Sequence, residues 1–395
     1  MTRPGRPSRA EAPVRRRPLR AVAWAVFAAA DLAVLLAVAV GLAAAFLPPR
    51  AYWWAQLVAI GLPYATWALV ALTVVVLAGR QWTVVALHLV LIGLVAVRAL
   101  PPSRFAEPVV SDGDLALTTF NVPQVGPSRE VLGDSVVAFV GRAQPDVLAL
   151  QDAWVFAPRR ERSNEEVQVE AVRQRLGYSL AVPARLAGYP GWRENGTGVP
   201  ILIRDASGVD VVEQEALIVG VERDADVSLA LRTQFRWGGR EAVLYNVHLR
   251  SFGAEKPWND SRVRLTQPAT WAPYLRRYRT VYAQRGAEVA EIAEQIEEET
   301  LPVIVVGDFN STADNWSYRR LRRAGGVSRQ DAFRDAGGLA WGRTYRSDKP
   351  FVRIDFVLVD PAFEVTAART ADVTFSDHRP VRVRLRWREA AASGP

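Results

Sequence analysis

The chain has 395 residues, half of them hydrophobic, a formal net charge of +8 and no cysteine. The missing thiols exclude disulfides, thiolate zinc sites and cysteine nucleophiles. The charge is lopsided: the first 110 residues carry 11 arginines against Glu11, Asp31 and Glu107, while the other 285 balance 38 basic against 38 acidic residues. The basic excess therefore flanks an apolar segment, where cations set membrane topology, and the remainder has no global pull toward polyanions.

An arginine-rich leader, 1–20, is followed by a membrane domain over 21–100 with three apolar stretches, 21–47, 52–78 and 82–100. Each approaches or exceeds the roughly 20 residues that cross a bilayer core as a helix. Trp53, Trp54 and Trp82 lie at their ends, as interfacial aromatics do. The third is the weakest, being short and holding His88 and Arg98. Asp31, inside the first, is expected to face the other helices. The length of the first run and the two that come after it disfavour a cleavable signal peptide. Seven arginines precede the first span and Arg50 alone lies in the next loop, so the leader is expected to stay cytoplasmic. Three transmembrane helices then put the large domain outside; two would leave it inside.

Residues 101–113 read as a linker, 114–388 as one catalytic domain and 389–395 as a disordered tail. In the domain, short apolar runs at 115–120, 147–150, 199–203, 242–247, 303–306, 354–359 and 381–385 predict strands. Helical patterns cover 130–142, 165–176 and 274–299. The last is basic and tyrosine-bearing at first, then acidic, and reads as a solvated face. Strands interspersed with helices imply a layered α/β domain with mixed sheets.

The informative residues stand at the strand ends. Five strand-like runs end in, or are preceded by, polar residues: Asn121; Gln151-Asp152; His248; Gly307-Asp308-Phe309-Asn310; and Ser376-Asp377-His378. Strand ends in layered α/β proteins converge on one edge, where sites form. The domain has only two histidines, His248 and His378, and both sit at such positions. Oxygen donors without thiolates favour Mg²⁺ or Mn²⁺ over zinc, and such a cation with carboxylate, amide and imidazole partners suits hydrolysis of a phosphoester. The central residues of GxxxxGK[ST], GxSxG and HExxH motifs are missing.

The succession TTFNV (118–122), DVLALQD (146–152), YNVHL (245–249), VVGDFNS (305–311), RIDFVLV (353–359) and SDHRPV (376–381) resembles the endonuclease/exonuclease/phosphatase superfamily of DNase I-like enzymes. These include abasic-site nucleases, inositol-phosphate phosphatases and neutral sphingomyelinases. The resemblance implies a four-layer sandwich, two packed mixed β-sheets flanked by helices. By position, it implies Asn121, Asp152 and Asp377 as metal ligands, Asp308 as the group that orients or deprotonates water, and Asn310 as a transition-state donor. It implies His248 as a phosphate contact and His378, paired with Asp355, as the catalytic histidine. Asp152 stands where the family has Glu, so the carboxylate is one methylene shorter.

The leading expectation is a membrane-anchored phosphoesterase with the bilayer as partner and a phosphorylated substrate. A linker of 13 residues spans at most about 45 Å at roughly 3.5 Å per residue, which favours a lipid or polyprenyl phosphate. An extracellular nuclease is the alternative, with a track of Arg250, Arg276, Arg277 and Arg279 and with Trp154, Trp192, Trp258 and Trp316 as base-stacking candidates. An inactive binding module is the third, and it predicts a missing catalytic residue.

Overall fold

The structure is a computed structural model that describes residues 17–99, 111, 113–122, 129–153, 164–181, 198–219, 228–253, 256–264, 266–336 and 342–389. Most of the expected leader, linker and tail, together with Trp154 and Trp192, lies outside the described residues.

The apolar segment forms four helices: α1 (Arg17–Ala44), α2 (Pro49–Ile60), α3 (Leu62–Ala78) and α4 (Trp82–Ala99). The Trp24 ring lies beside Gly79, just past the end of α3, and Leu62, which opens α3, lies against Gly41 near the end of α1. Arg98 Nη1 donates to Leu42 O at 2.8 Å, so the end of α4 meets the end of α1. Helices α1, α3 and α4 thus alternate in direction.

The second predicted stretch is not one helix. It breaks at Gly61, where α2 and α3 meet with a bend of 57°. A glycine followed by Pro63 in the first turn of α3 interrupts one helix and starts the next at low cost. Two helices, Ala21–Ala44 and Trp82–Ala99, are long and apolar enough to cross a membrane, and the bent pair gives a third only if taken as one broken span. The weak stretch is the second, then, and not the third.

Asp31 does face the other helices. It is buried, its carboxylate 3.2 Å from His88 Nε2, and His88 Nδ1 lies 3.0 Å from Thr73 Oγ1. These contacts run from α1 through α4 to α3.

Helix α2 is bound to the second domain rather than free in the bundle. Gln56 is buried at its centre. Its Nε2 donates to Ala44 O and Leu47 O, both at 2.9 Å. Its Oε1 accepts from Trp316 N at 3.0 Å and from Asn315 Nδ2 at 3.2 Å. One amide therefore fastens the end of α1 to the segment just past GDFNS.

The second domain contains β1 (Leu115–Asn121), α5 (Arg129–Ala143), β2 (Val147–Gln151), α6 (Asn164–Leu176), β3 (Tyr178–Ala181), β4 (Ile201–Arg204), β5 (Asp210–Val219) and β6 (Ser228–Trp237). It continues with β7 (Arg240–His248), α7 (Pro268–Glu297), β8 (Val303–Asp308), α8 (Trp316–Arg322), β9 (Gln330–Asp331), α9 (Ala332–Ala336), β10 (Asp355–Val359), β11 (Phe363–Thr370) and β12 (Val381–Trp387). They form two six-stranded sheets, ordered β11-β12-β1-β2-β4-β3 and β5-β6-β7-β8-β10-β9. Both are mixed: β1–β2 and β7–β8 are parallel, and the other pairs are antiparallel.

Strand periodicity sets the layers. Leu115, Leu117, Val147, Ala149, Ala242, Leu244, Ile304, Val306, Val357 and Val359 share the core between the sheets. Their neighbours Val243, Tyr245, Val247, Val303 and Val305 pack on the other face against Val289, Ile292 and Ile296 of α7. Leu148 and Leu150 likewise pack against Val136 and Val140 of α5 and Val172 of α6. The result is a four-layer sandwich. Because α7 buries Tyr274, Tyr278, Tyr282, Arg285 and Glu288, the face expected to be solvated is a packed one.

Gln56→Ala strands the Trp316 N–H, while Asn315 Nδ2 keeps Gln56 O at 2.9 Å, and a buried donor without a partner costs about 1–3 kcal/mol. The full chain in detergent should melt several degrees lower than wild type; an unchanged melting temperature contradicts the fastening role of α2.

Candidate active site

Counting along each strand shows why the polar residues meet. Ile304 and Val306 point between the sheets, so Asp308 at the end of β8 continues that face. The same parity carries Leu117 to Asn121, Ala149 to Gln151, Leu244 to Asn246 and His248, and Val357 to Asp355. Every one of these side chains closes the inter-sheet core at one end of the sandwich.

Two bolts hold that end. Gln151 Nε2 donates to Asn246 Oδ1 at 2.6 Å, and Asn246 Nδ2 donates to Leu150 O at 2.8 Å, both across the sheets. Gly307 allows close approach: its φ is +131°, and a Cβ there would meet Val247 O at 1.9 Å. No other residue fits between the parallel ends of β7 and β8.

Asp308 is the hub. It is buried; its Oδ1 accepts from Asn310 N at 2.8 Å. Its Oδ2 accepts from Asn121 Nδ2 at 3.0 Å and from Asn310 Nδ2 at 3.2 Å. His248 Nε2 and His378 Nε2 lie 3.7 and 3.8 Å from the same oxygen. Burial, and then the Asp355 carboxylate, push the Asp308 pKa up against the opposing histidines and the Asn310 N–H.

His378 is buried too, and Nδ1 lies 2.9 and 3.2 Å from the two oxygens of Asp355. Burial alone lowers an imidazole pKa, but Asp355, Asp308 and Asp377 outweigh it and raise the pKa to about 10. His378 is therefore an imidazolium at neutral pH, with Nδ1–H given to Asp355 and Nε2–H turned toward Asp308. Its position is fixed from below, since Ser376 Oγ accepts from His378 N at 3.0 Å and donates to Asn121 O at 2.9 Å.

The other expected residues take separate places. Asp152, half-buried with φ of +54°, has Oδ1 3.3 Å from His248 Nδ1. Asn310 Nδ2 also donates to Leu249 O at 2.9 Å. Asp377 is exposed on the rim. Among the described residues, the three acidic or histidine groups with converging ligand atoms are Asp308, Asp355 and His378, all within 4.8 Å.

The site suits a divalent cation on its own chemistry. Asp308 and Asp355 oppose each other's charge in a buried setting, with Asp152 and Asp377 nearby, and a bound cation relieves that opposition.

Sequence reasoning missed three neighbours. The Tyr345 ring stacks at a tilt 5.0 Å from His378. Arg285, fully buried on α7, donates to Arg250 O at 2.8 Å and to Ser311 Oγ at 3.2 Å, gripping the segments after His248 and after Asn310. Lys256 stands over Phe252 at 5.5 Å, its pKa lowered to about 8 by burial and by Arg277 and Arg285 against the pull of Asp377. No strand-end position marks any of them. Of the nuclease candidates, Arg250 pairs with Glu288 at 3.2 Å and Trp316 packs partly buried against the α7 core.

Asp355→Asn removes the charge that keeps His378 protonated. In the metal-free protein, the His378 ring pKa, read by NMR among only three histidines, should fall from about 10 toward its ordinary value. A raised folded-state pKa gives stability that is full below the unfolded value and lost as pH rises through the folded one. The melting advantage of wild type over Asp355→Asn should therefore shrink between about pH 6.5 and pH 10; a constant gap contradicts the ion pair.

The model of the Endonuclease/Exonuclease/phosphatase family matches residues 119–378, a stretch that begins just before Asn121 and ends on His378. Solved structures similar to this chain include an endonuclease/exonuclease/phosphatase from Bacteroides vulgatus, 20% identical, covering 70% of this chain and 99% of its own, with a TM-score of 0.48. A mannosyl-6-phosphatase from Bacteroides thetaiotaomicron is 18% identical, covers 69% and 100%, and has a TM-score of 0.48. A humanized D. rerio TDP2 is 16% identical, covers 70% and 100%, and has a TM-score of 0.45. No curated protein matches the chain. With the family motifs gathered at one end of a two-sheet sandwich, the chain belongs to the Endonuclease/Exonuclease/phosphatase family and is a hydrolase of phosphoester bonds.

Proposed function

We propose that the chain is a membrane-anchored phosphoesterase that hydrolyses a lipid or polyprenyl phosphate at the outer surface of the membrane. The observation that carries the reading is the contact between the apolar bundle and the wall of the active site. Tyr64 near the start of α3 donates to Phe351 O at 3.4 Å. Phe351 lies 5.9 Å from the Tyr345 ring, which lies 5.0 Å from His378. A substrate phosphate held at headgroup height needs only a short rise from the bilayer to reach this wall.

The alternating directions of α1, α3 and α4 favour three crossings, with α2 at the interface on the catalytic side. Helix α3 has 17 residues, a rise of about 25 Å at roughly 1.5 Å per residue, slightly short of a typical bilayer core. The arginine-rich leader keeps the N-terminus cytoplasmic, and an odd count then puts the catalytic domain outside.

Each residue has its own part in the reaction. Water attacks phosphorus, the ester P–O bond breaks, and the departing alkoxide takes its proton from solvent water. Asp308, made more basic by burial, accepts the proton of the attacking water. His378, held as imidazolium by Asp355, gives charge-assisted hydrogen bonding to the phosphoryl oxygens as their negative charge grows. Asn310 Nδ2 and His248 add donors to the same group. Asn121 and Asp152, with Asp377 on the rim, would hold the cation, and Mg²⁺ or Mn²⁺ there would offset charge on the phosphoryl oxygens.

The nuclease alternative rests on Arg276 and Arg279, both exposed on α7, but its track has lost Arg250 to Glu288. The inactive module is disfavoured because all eight expected site residues are present.

Asp152→Ala should abolish Mg²⁺-dependent phosphate release while leaving the melting curve intact, and full activity in that variant refutes its ligand role. For the substrate, full-length protein with Mg²⁺ is given a polyprenyl monophosphate in liposomes or plasmid DNA in solution. Phosphate release from the lipid without nicking of the plasmid is expected. Nicking that weakens steeply with salt, with the lipid untouched, supports the nuclease instead.

A further inference from the structure

The junction between the bundle and the catalytic domain carries a cleft of about 210 Å³, lined by Ala45, Phe46, Trp316, Arg319, Arg320 and Arg323. None of these residues belongs to the catalytic pocket. Ala45 and Phe46 come directly after α1, where the chain leaves the apolar bundle, so the cleft lies at the height where a bilayer meets water. Its lining joins the aromatic rings of Phe46 and Trp316 to three guanidinium groups.

The charges there are crowded with their own kind. Arg319 stacks on the Phe46 ring at 4.0 Å, and Arg98 approaches the same ring at 5.5 Å. Arg320 is paired with Glu297 at 2.7 Å. Among the described residues no carboxylate pairs with Arg319 or Arg323. Burial, and then Arg323, Arg98 and Arg322, lower the Arg319 pKa, so the charged groups around it all oppose its charge. Asp314 is turned to Arg98, Arg353 and Arg334, and burial raises its pKa to about 6. Two unpaired guanidinium groups beside an aromatic wall form a seat for a phosphate, which guanidinium recognises through parallel N–H donors.

We propose that this cleft binds the phosphate of an anionic phospholipid of the surrounding bilayer, clamping the catalytic domain against the bundle. The proposal rests on the membrane reading of the apolar helices. That reading fails separately: a chain released by alkaline carbonate is not embedded in a bilayer, whatever its lipid affinity.

The test is native mass spectrometry of the full chain in detergent, titrated with phosphatidylglycerol, phosphatidylcholine or inorganic phosphate. Phosphatidylglycerol should be retained in preference to phosphatidylcholine, and millimolar inorganic phosphate should not displace it. Arg319→Gln with Arg323→Gln should weaken phosphatidylglycerol about twentyfold, from roughly fivefold for each arginine near a charged surface. Arg323 is exposed, so Arg323→Gln alone keeps the fold and should weaken it about fivefold. Equal retention of the two lipids, displacement by free phosphate, or unchanged phosphatidylglycerol affinity in the single variant overturns the assignment.

Discussion

A carboxylate buried between two β-sheets is costly unless its surroundings are built to hold it, and the catalytic domain is organised around one. Asp308 ends the most enclosed run of β8, takes amide donors from Asn121 on the opposite sheet and from Asn310 on its own loop, and faces both histidines of the domain. Its hydrogen bonds span the sandwich, so the relative placement of the sheets and the geometry of the site are one constraint. Gly307 is what lets β7 and β8 come close enough to put His248 beside it. Asp355 completes the arrangement by holding His378 as a cation that balances part of the charge.

The same end of the domain is tied to the apolar bundle. Gln56 reaches the segment just after the GDFNS motif, and Tyr64 reaches the loop that carries Tyr345. Arg285 links those segments internally, between Arg250 O and Ser311. The bundle is thus packed into the framework that positions catalytic groups, beyond what a flexible tether provides, and the active site has a fixed height above the apolar helices. This is the physical basis for favouring a substrate presented by a bilayer.

Much of this was legible in the sequence because strand parity is legible. Alternate residues of VIVVGD and YNVH predict which polar side chain closes the inter-sheet core, and the eight expected site residues all lie at strand ends or in the adjoining loops. The two longest strands were among the five missed, with β3, β9 and β11. Charged residues interrupt the apolar pattern of both β5 (DVVEQEALIV) and β6 (SLALRTQFRW), since their outer positions face solvent or salt bridges such as Arg232 with Glu299. The α7 face was misjudged because Arg285 and Glu288 are buried by partners distant in sequence. The break at Gly61 was hidden for a related reason. Hydropathy sees α2 and α3 as one stretch, whereas Gln56 has a destination that only the folded domain supplies.

The central claim is that groups from Asn121 to His378 form one cation pocket with Asp308 at its centre. The direct measurement is a Mn²⁺ titration of the purified full chain monitored by electron paramagnetic resonance, comparing wild type with Asp152→Asn at matched melting temperature. Saturable Mn²⁺ binding in wild type that is lost or greatly weakened in the variant is the predicted result. Undiminished binding in the variant would contradict the account.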